Sequence, residues 1–148
     1  MMFSEMPFHL HSGPIWLQFD KIVSVDPGGE LVPYYHFKIV HKDEEIVGHI
    51  NFRVGNTRHV KMCAGHIGYE ILPKYRGKSY SYHACKALTP LIKRHYDHVL
   101  LTVDPSNLPS IRIVEKLGAG FINEIEVPAD DPAYAGGARI KRRYKWIP

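Results

Sequence analysis

The stretch Gly68-Tyr69-Glu70-Ile71-Leu72-Pro73-Lys74-Tyr75-Arg76-Gly77-Lys78-Ser79-Tyr80-Ser81 changes character half-way along, and the change sets the architecture. His66 to Leu72 reads as a strand that Pro73 stops. From Tyr80, apolar or small residues recur at Tyr80, Ala84, Ala87, Leu88, Leu91 and Ile92. Spacings of three and four mark one face of a helix. Pro90 falls inside that pattern and must kink or divide the helix, because it has no N–H to give. The segment is therefore a strand, a Gly/Ser/Lys turn and a helix start. A helix start exposes unbonded N–H groups and the positive end of the helix dipole, which suits a phosphate. Arg76 and Lys78 add charge there. Neither the P-loop pattern nor GxGxxG is met. The residues alone allow two readings, an anion site or an ordinary strand-to-helix turn.

Working outward, Tyr35-His36-Phe37-Lys38-Ile39-Val40 and Ile46 to Val54 read as strands joined by the charged turn Lys42-Asp43-Glu44-Glu45. Trp16, Phe19, Ile22, Val23 and Val25 outline an earlier strand before Pro27-Gly28-Gly29. His98 to Val103 is a short buried strand. Ser106 or Asn107 can cap the next helix, with Pro109 in its first turn and Gly118 as its stop. Phe121 to Val127 and Arg139 to Trp146 supply two more strands around an acidic, Pro/Gly-rich loop. In the last strand Ile140, Tyr144 and Trp146 share one face, and Lys141, Arg143 and Lys145 the other. The order β-β-β-α-β-α-β-β predicts an α/β fold with a mixed sheet, antiparallel early and parallel in the middle, flanked by helices.

One domain accounts for 148 residues. With 45% hydrophobic and 23% charged residues, the composition is that of an ordinary globular protein. At this length no disulfide or metal staple is needed. Cys63 and Cys85 form no CxxC, so a reducing, cytoplasmic setting is expected. Met1 to Pro14 has neither the basic start nor the apolar run of a signal peptide. No stretch approaches the ~20 apolar residues of a membrane span. Among ten histidines only His9 and His11 form a close pair, and no metal site is expected. The net charge of +4 raises the question of nucleic acid. Five basic residues, however, lie between Arg139 and Lys145; without them 14 basic residues face 15 acidic ones. The basicity is one strip with no RNP-type aromatic motif, and no nucleic-acid partner is expected.

Two segments resemble the GNAT superfamily of acyl-CoA-dependent N-acetyltransferases. Arg76-Gly77-Lys78-Ser79-Tyr80-Ser81 stands where that family has its R/Q-x-x-G-x-G/A pyrophosphate loop. Asn107-Leu108-Pro109-Ser110-Ile111-Arg112-Ile113-Val114-Glu115-Lys116-Leu117-Gly118-Ala119 is similar to its N-x-x-S/A…E-K-L-G helix. The resemblance covers about residues 32–148 and implies one GNAT-like domain. It implies acetyl-CoA as co-substrate, bound by Ile71, Leu72, Arg76, Gly77, Lys78, Ser79, Tyr80, Ser81, Asn107 and Ser110. A primary amine is the implied acceptor. Three residues depart from the pattern: Ser79 for Gly, Ser81 for Gly or Ala, and Val114 for a Tyr acid. Residues 1–31 are short for the family's two N-terminal helices, so the acceptor pocket is open or closed by a second subunit in a homodimer.

The chemistry asks more of a base than of an acid. A lysine-type amine has a pKa of about 10.4, so about one in a thousand is neutral at pH 7.4, a handicap of about 4 kcal/mol. A leaving thiol near 8.5 needs little help, which makes the absence of a Tyr at Val114 tolerable. Glu70 is the expected base, directly or through water; a surface strand carboxylate is its competing reading. The family resemblance also implies that the backbone N–H near Ile71 polarises the acyl carbonyl. Ser110 is the expected contact of the sulfur, or only a cap. Asn107 holds the pantetheine arm, caps its helix, or both. Tyr69 and Tyr75 read as packing, and His49 and His66 as sheet residues near the acceptor side. A GNAT-fold module that binds CoA without turnover is the alternative to an enzyme, motivated by Ser79, Ser81 and Val114.

Overall fold

A computed structural model of the protein describes residues 9–43 and 45–148. Residues 1–8, read above for a signal peptide, and Glu44 of the charged turn lie outside the described residues. Hairpins build the first sheet: β1 (His11–Ser12), β2 (Ile15–Val23), β3 (Tyr34–His41), β4 (Ile46–Arg53) and β5 (Ile67–Ile71) pair antiparallel in chain order. Alternation sends Tyr35, Phe37, Ile39, Ile50 and Phe52 into the core, all fully buried. His36, Lys38, His49 and Asn51 take the outer face. A bulge between Phe19 and Lys21 brings the Asp20 carboxylate to 3.6 Å from His36.

The second sheet holds β6 (Val99–Val103), β8 (Ile140–Trp146) and β7 (Gly120–Glu126), with β8 in the centre and both pairings antiparallel. The mixed α/β class is as expected, but the middle is not a parallel ladder. β5 and β6 meet at one point. The His66 amide donates to the Leu100 carbonyl (2.8 Å), and the His66 Nδ1 accepts the Leu100 amide (2.9 Å). The imidazole thus stands in for a backbone acceptor, and beyond it the strands part. The ring is buried against Tyr96, 4.7 Å away, and its Nε2 donates to Asn56 Oδ1 (3.0 Å). Burial pushes its pKa down to about 4.

Pro90 divides the predicted helix into α1 (Tyr80–Ala87) and α2 (Thr89–His95), sitting in the first turn of α2 where no N–H is needed. Ala84, Ala87, Leu88, Leu91 and Ile92 are buried as one stripe. Asn107 caps α3 (Leu108–Lys116) by accepting the Ser110 amide (3.2 Å), and Gly118 ends it at φ +80°. The elements that the sequence reading did not give include a π-helical turn at Val60–Ala64 and α4 (Pro132–Ala135). They are clipped together by the buried His59 Nδ1, which donates to Asp131 Oδ1 at 2.8 Å. Among the described residues no helix precedes Val60, so none from that part of the chain covers the outer face of β2–β5. No helix among them is long and apolar enough to cross a membrane.

Candidate active site

The parting of β5 from β6 frees one edge of β5. Leu72 donates its amide to Val47 (2.8 Å), and His66 accepts from Arg53 (2.7 Å), so the even residues of β5 face β4. Antiparallel alternation then turns the amides of Tyr69 and Ile71 toward the gap. Gly48 lets the two strands approach here, since a Cβ there would strike the Glu70 carbonyl. The Ile71 carbonyl is taken by Arg76 Nε (2.9 Å), which folds the turn back onto the strand and leaves the Ile71 N–H facing the gap.

A cavity of about 310 Å³ lies in the gap, lined by Arg53 and Gly68 of the outer face, by the buried Cys63, and by Asn107, Ser110 and Val114 at α3. It adjoins a cleft of about 630 Å³ between the starts of α1 and α3. Tyr69, Asn107, Ser110 and Ile113 line both spaces. At that junction the Tyr69 hydroxyl donates to Ser110 Oγ (3.0 Å), and burial raises the tyrosine's pKa. Val114 is buried and contributes only hydrocarbon to the wall. Burial lifts the Cys63 thiol to about 11 and the Cys85 thiol to about 12, so neither offers a thiolate nucleophile to the cavity.

The predicted cofactor residues Ile71, Arg76, Gly77, Ser79, Tyr80, Ser81, Asn107 and Ser110 all line the cleft. Leu72 and Lys78 do not: Leu72 is exposed, and Lys78 Nζ lies over the Tyr75 ring at 5.9 Å. Arg112 and Lys116, which the sequence reading passed over, join Arg76 as the cleft's cations. Their spacing of four on α3 was the available signal. Tyr75, read as packing, lines the cleft and donates to Glu45 Oε2 (2.9 Å), which ties the turn to the start of β4. Glu70 is exposed, opposite His49 in the β4–β5 register, at the margin of the cleft. The His49 ring is 5.4 Å from His36, whose Nδ1 donates to Asn51 Oδ1 (2.6 Å). His66 does not reach this face; it is the tie at the strand split.

Ser79 has φ +62°, the one non-glycine residue in the left-handed region among those described. Its Cβ crowds the following carbonyl at a cost of about 1 kcal/mol. Ser79→Gly should therefore raise stability by about 1 kcal/mol and the Tm by about 2–4 °C. A melt that stays level or falls would show that the hydroxyl, which accepts from Lys116 Nζ at 3.5 Å, outweighs the strain.

Residues 3–120 match the family model described as the acetyltransferase (GNAT) domain. Among solved structures, the chain is similar to the ribosomal-protein-S5-alanine acetyltransferase of Vibrio fischeri, with 21% identity, 77% of this chain and 61% of that one covered, and a TM-score of 0.60. It is similar to a GNAT-family acetyltransferase from Bacillus anthracis (22% identity, 76% and 65% covered, TM-score 0.58). A third is RimL, a ribosomal L7/L12 α-N-protein acetyltransferase, in complex with coenzyme A (14% identity, 77% and 62% covered, TM-score 0.59). The chain spans about three fifths of the length of the first of these. At such identities the likeness is one of fold. No curated protein matches the sequence.

Proposed function

Because this chain belongs to the GNAT acetyltransferase family, we propose that it moves an acetyl group from acetyl-CoA to a primary amine by direct attack on the thioester. The observation that carries this reading is the gap between β5 and β6, where a free strand edge, a cationic cleft and a cavity converge. The pyrophosphate meets the free N–H groups at the start of α1, with Arg76, Arg112 and Lys116 close by. The pantetheine arm lies along the β5 edge and Asn107. The Ile71 N–H donates to the thioester oxygen and stabilises the charge that develops there. The neutral amine enters from the outer side of the cavity. Its nitrogen bonds to the carbonyl carbon, the C–S bond breaks, and the electron pair leaves on sulfur. The Ser110 hydroxyl, oriented by Tyr69, meets that sulfur. Glu70 takes the proton of the amine, directly or through water. CoA in the RimL complex supports the choice of donor.

Coenzyme A at a hundredfold over its Kd should stabilise the protein by about 2.7 kcal/mol. Arg76→Glu should abolish that shift while leaving the unliganded protein folded. Equal shifts in the two proteins would remove the 76–81 turn from the binding site. Ser79 and Val114 favour one second reading, a module that binds CoA without turnover. A screen of amines that follows free thiol separates the two readings.

A further inference from the structure

We propose that the acceptor is a polypeptide whose N-terminal amine is followed by acidic residues, and that those residues dock on the outer face of the β6–β8–β7 sheet. The proposal rests on the acetyl-transfer reading for its amine, while the surface is argued independently.

Alternation along β8 sorts the charges. Tyr144 and Trp146 are buried, and Arg142 shares their face: it stacks on Phe121 (4.4 Å) and donates to Tyr144 Oη (3.0 Å) and Glu124 Oε1 (3.3 Å). Register sets Glu124 opposite Arg142 and Glu126 opposite Ile140, which takes both β7 carboxylates to that same face. The outer face keeps Lys141, Arg143 and Lys145. Arg143 Nε donates to the Lys61 carbonyl (3.0 Å), which joins Lys61 of the π-helical turn to the strip. None of these four cations has an ion-pair partner among the described residues. Arg143 Nη1 also donates to Asn123 Oδ1 (3.1 Å) and Lys141 faces the Asp104 carboxylate, so the exposed Lys61 and Lys145 are the charges of the strip most open to an anion.

The strip is continuous with the site. Lys141 lines the cavity in the gap, beside Asp104, whose carboxylate already accepts from the Ser106 amide and hydroxyl. An amine in that cavity carries its next residues past Lys141 and along Arg143 and Lys145. An α-amine also asks less of an exposed Glu70: at pH 7.4 about a quarter of α-amines are neutral, against about one in a thousand lysines.

The test uses three octapeptides with the same N-terminal serine and a C-terminal fluorophore, carrying four Glu, four Gln or four Lys after position two. Binding is read by anisotropy in the presence of CoA, and transfer by thiol release from acetyl-CoA. At 20 mM salt the Glu peptide should exceed the Gln peptide at least tenfold in affinity and in kcat/KM, and the Lys peptide should be poorest. At 300 mM the advantage should shrink to within about threefold, as screening demands. Lys61→Glu with Lys145→Glu should bring the Glu peptide down to the Gln peptide, while Lys93→Glu on exposed α2 should keep the preference. Equal binding of Glu and Gln peptides to the wild type overturns the proposal. So does a preference that survives the double variant, or single-stranded RNA that outcompetes the Glu peptide. If charge-dependent binding occurs without thiol release to any amine, the acetyl-transfer reading fails and the surface stands. Transfer without charge dependence fails the surface alone.

Discussion

Glu70→Gln will slow acetyl transfer by about a hundredfold or more and leave CoA affinity nearly unchanged. Gln keeps the shape and hydrogen-bonding capacity of Glu70 but cannot accept a proton. The two effects separate because Glu70 belongs to the outer face, opposite His49, whereas the neighbouring Ile71 amide faces the gap. The deficit should shrink as pH rises, because more of the acceptor is neutral before it binds. Ser110→Ala should cost less, since a thiol of pKa near 8.5 leaves readily without an acid. Initial rates of thiol release from pH 6 to 9 measure both. Full activity of Glu70→Gln across that range would make Glu70 an ordinary strand carboxylate and remove it from the mechanism.

Lowering the pH from 7 to 4 will destabilise the protein by about 3 kcal/mol through His66 alone. Its Nδ1 must keep a lone pair for the Leu100 amide, and burial holds the folded pKa at about 4. The unfolded chain takes up that proton near 6.5. The unfolded state therefore binds more protons between the two values, and stability rises with pH across that window. The contribution is complete above about 6.5 and lost as pH falls toward 4. Burial also lowers His83 and His95, which act with the same sign, so a variant must isolate the effect. His66→Gln can accept from Leu100 and donate to Asn56 without titrating. Its denaturant midpoint should fall less than that of the wild type between pH 6.5 and 4. Parallel curves for the two proteins would acquit His66. Against a typical total of 5–15 kcal/mol, a loss of this size is a large share of the stability.

Local chemistry made the hairpins, the Asn107 cap, the Gly118 stop and the division at Pro90 legible, because each depends on one residue and its near neighbours. Pairing was less legible. Nothing in the period of His66 to Leu72 says that its strand will leave β6 after one contact, because that depends on an imidazole buried against Tyr96. The π-helical turn and α4 escaped for a related reason. Both are short, and they are joined by His59 and Asp131, 72 residues apart. At the site, the motif predicted the turn and, at the start of α3, Asn107 and Ser110, but neither the cations Arg112 and Lys116 nor the Tyr69–Ser110 contact, which spans 41 positions. Ser79 was legible as a departure from the family's Gly, whereas its left-handed φ belongs to the folded turn alone.

Among the described residues β5 and β6 are tied at His66, which gives the two strands a fulcrum at one end. Ile71 lies five residues along β5, roughly 17 Å from that fulcrum at 3.3 Å per residue. A rotation of about 5° there would sweep the Ile71 amide by roughly 1.4 Å, about the error that separates a hydrogen bond from a miss. Leverage of this kind means that side chains packed around the fulcrum, Tyr96 among them, set the aim of a donor they never touch.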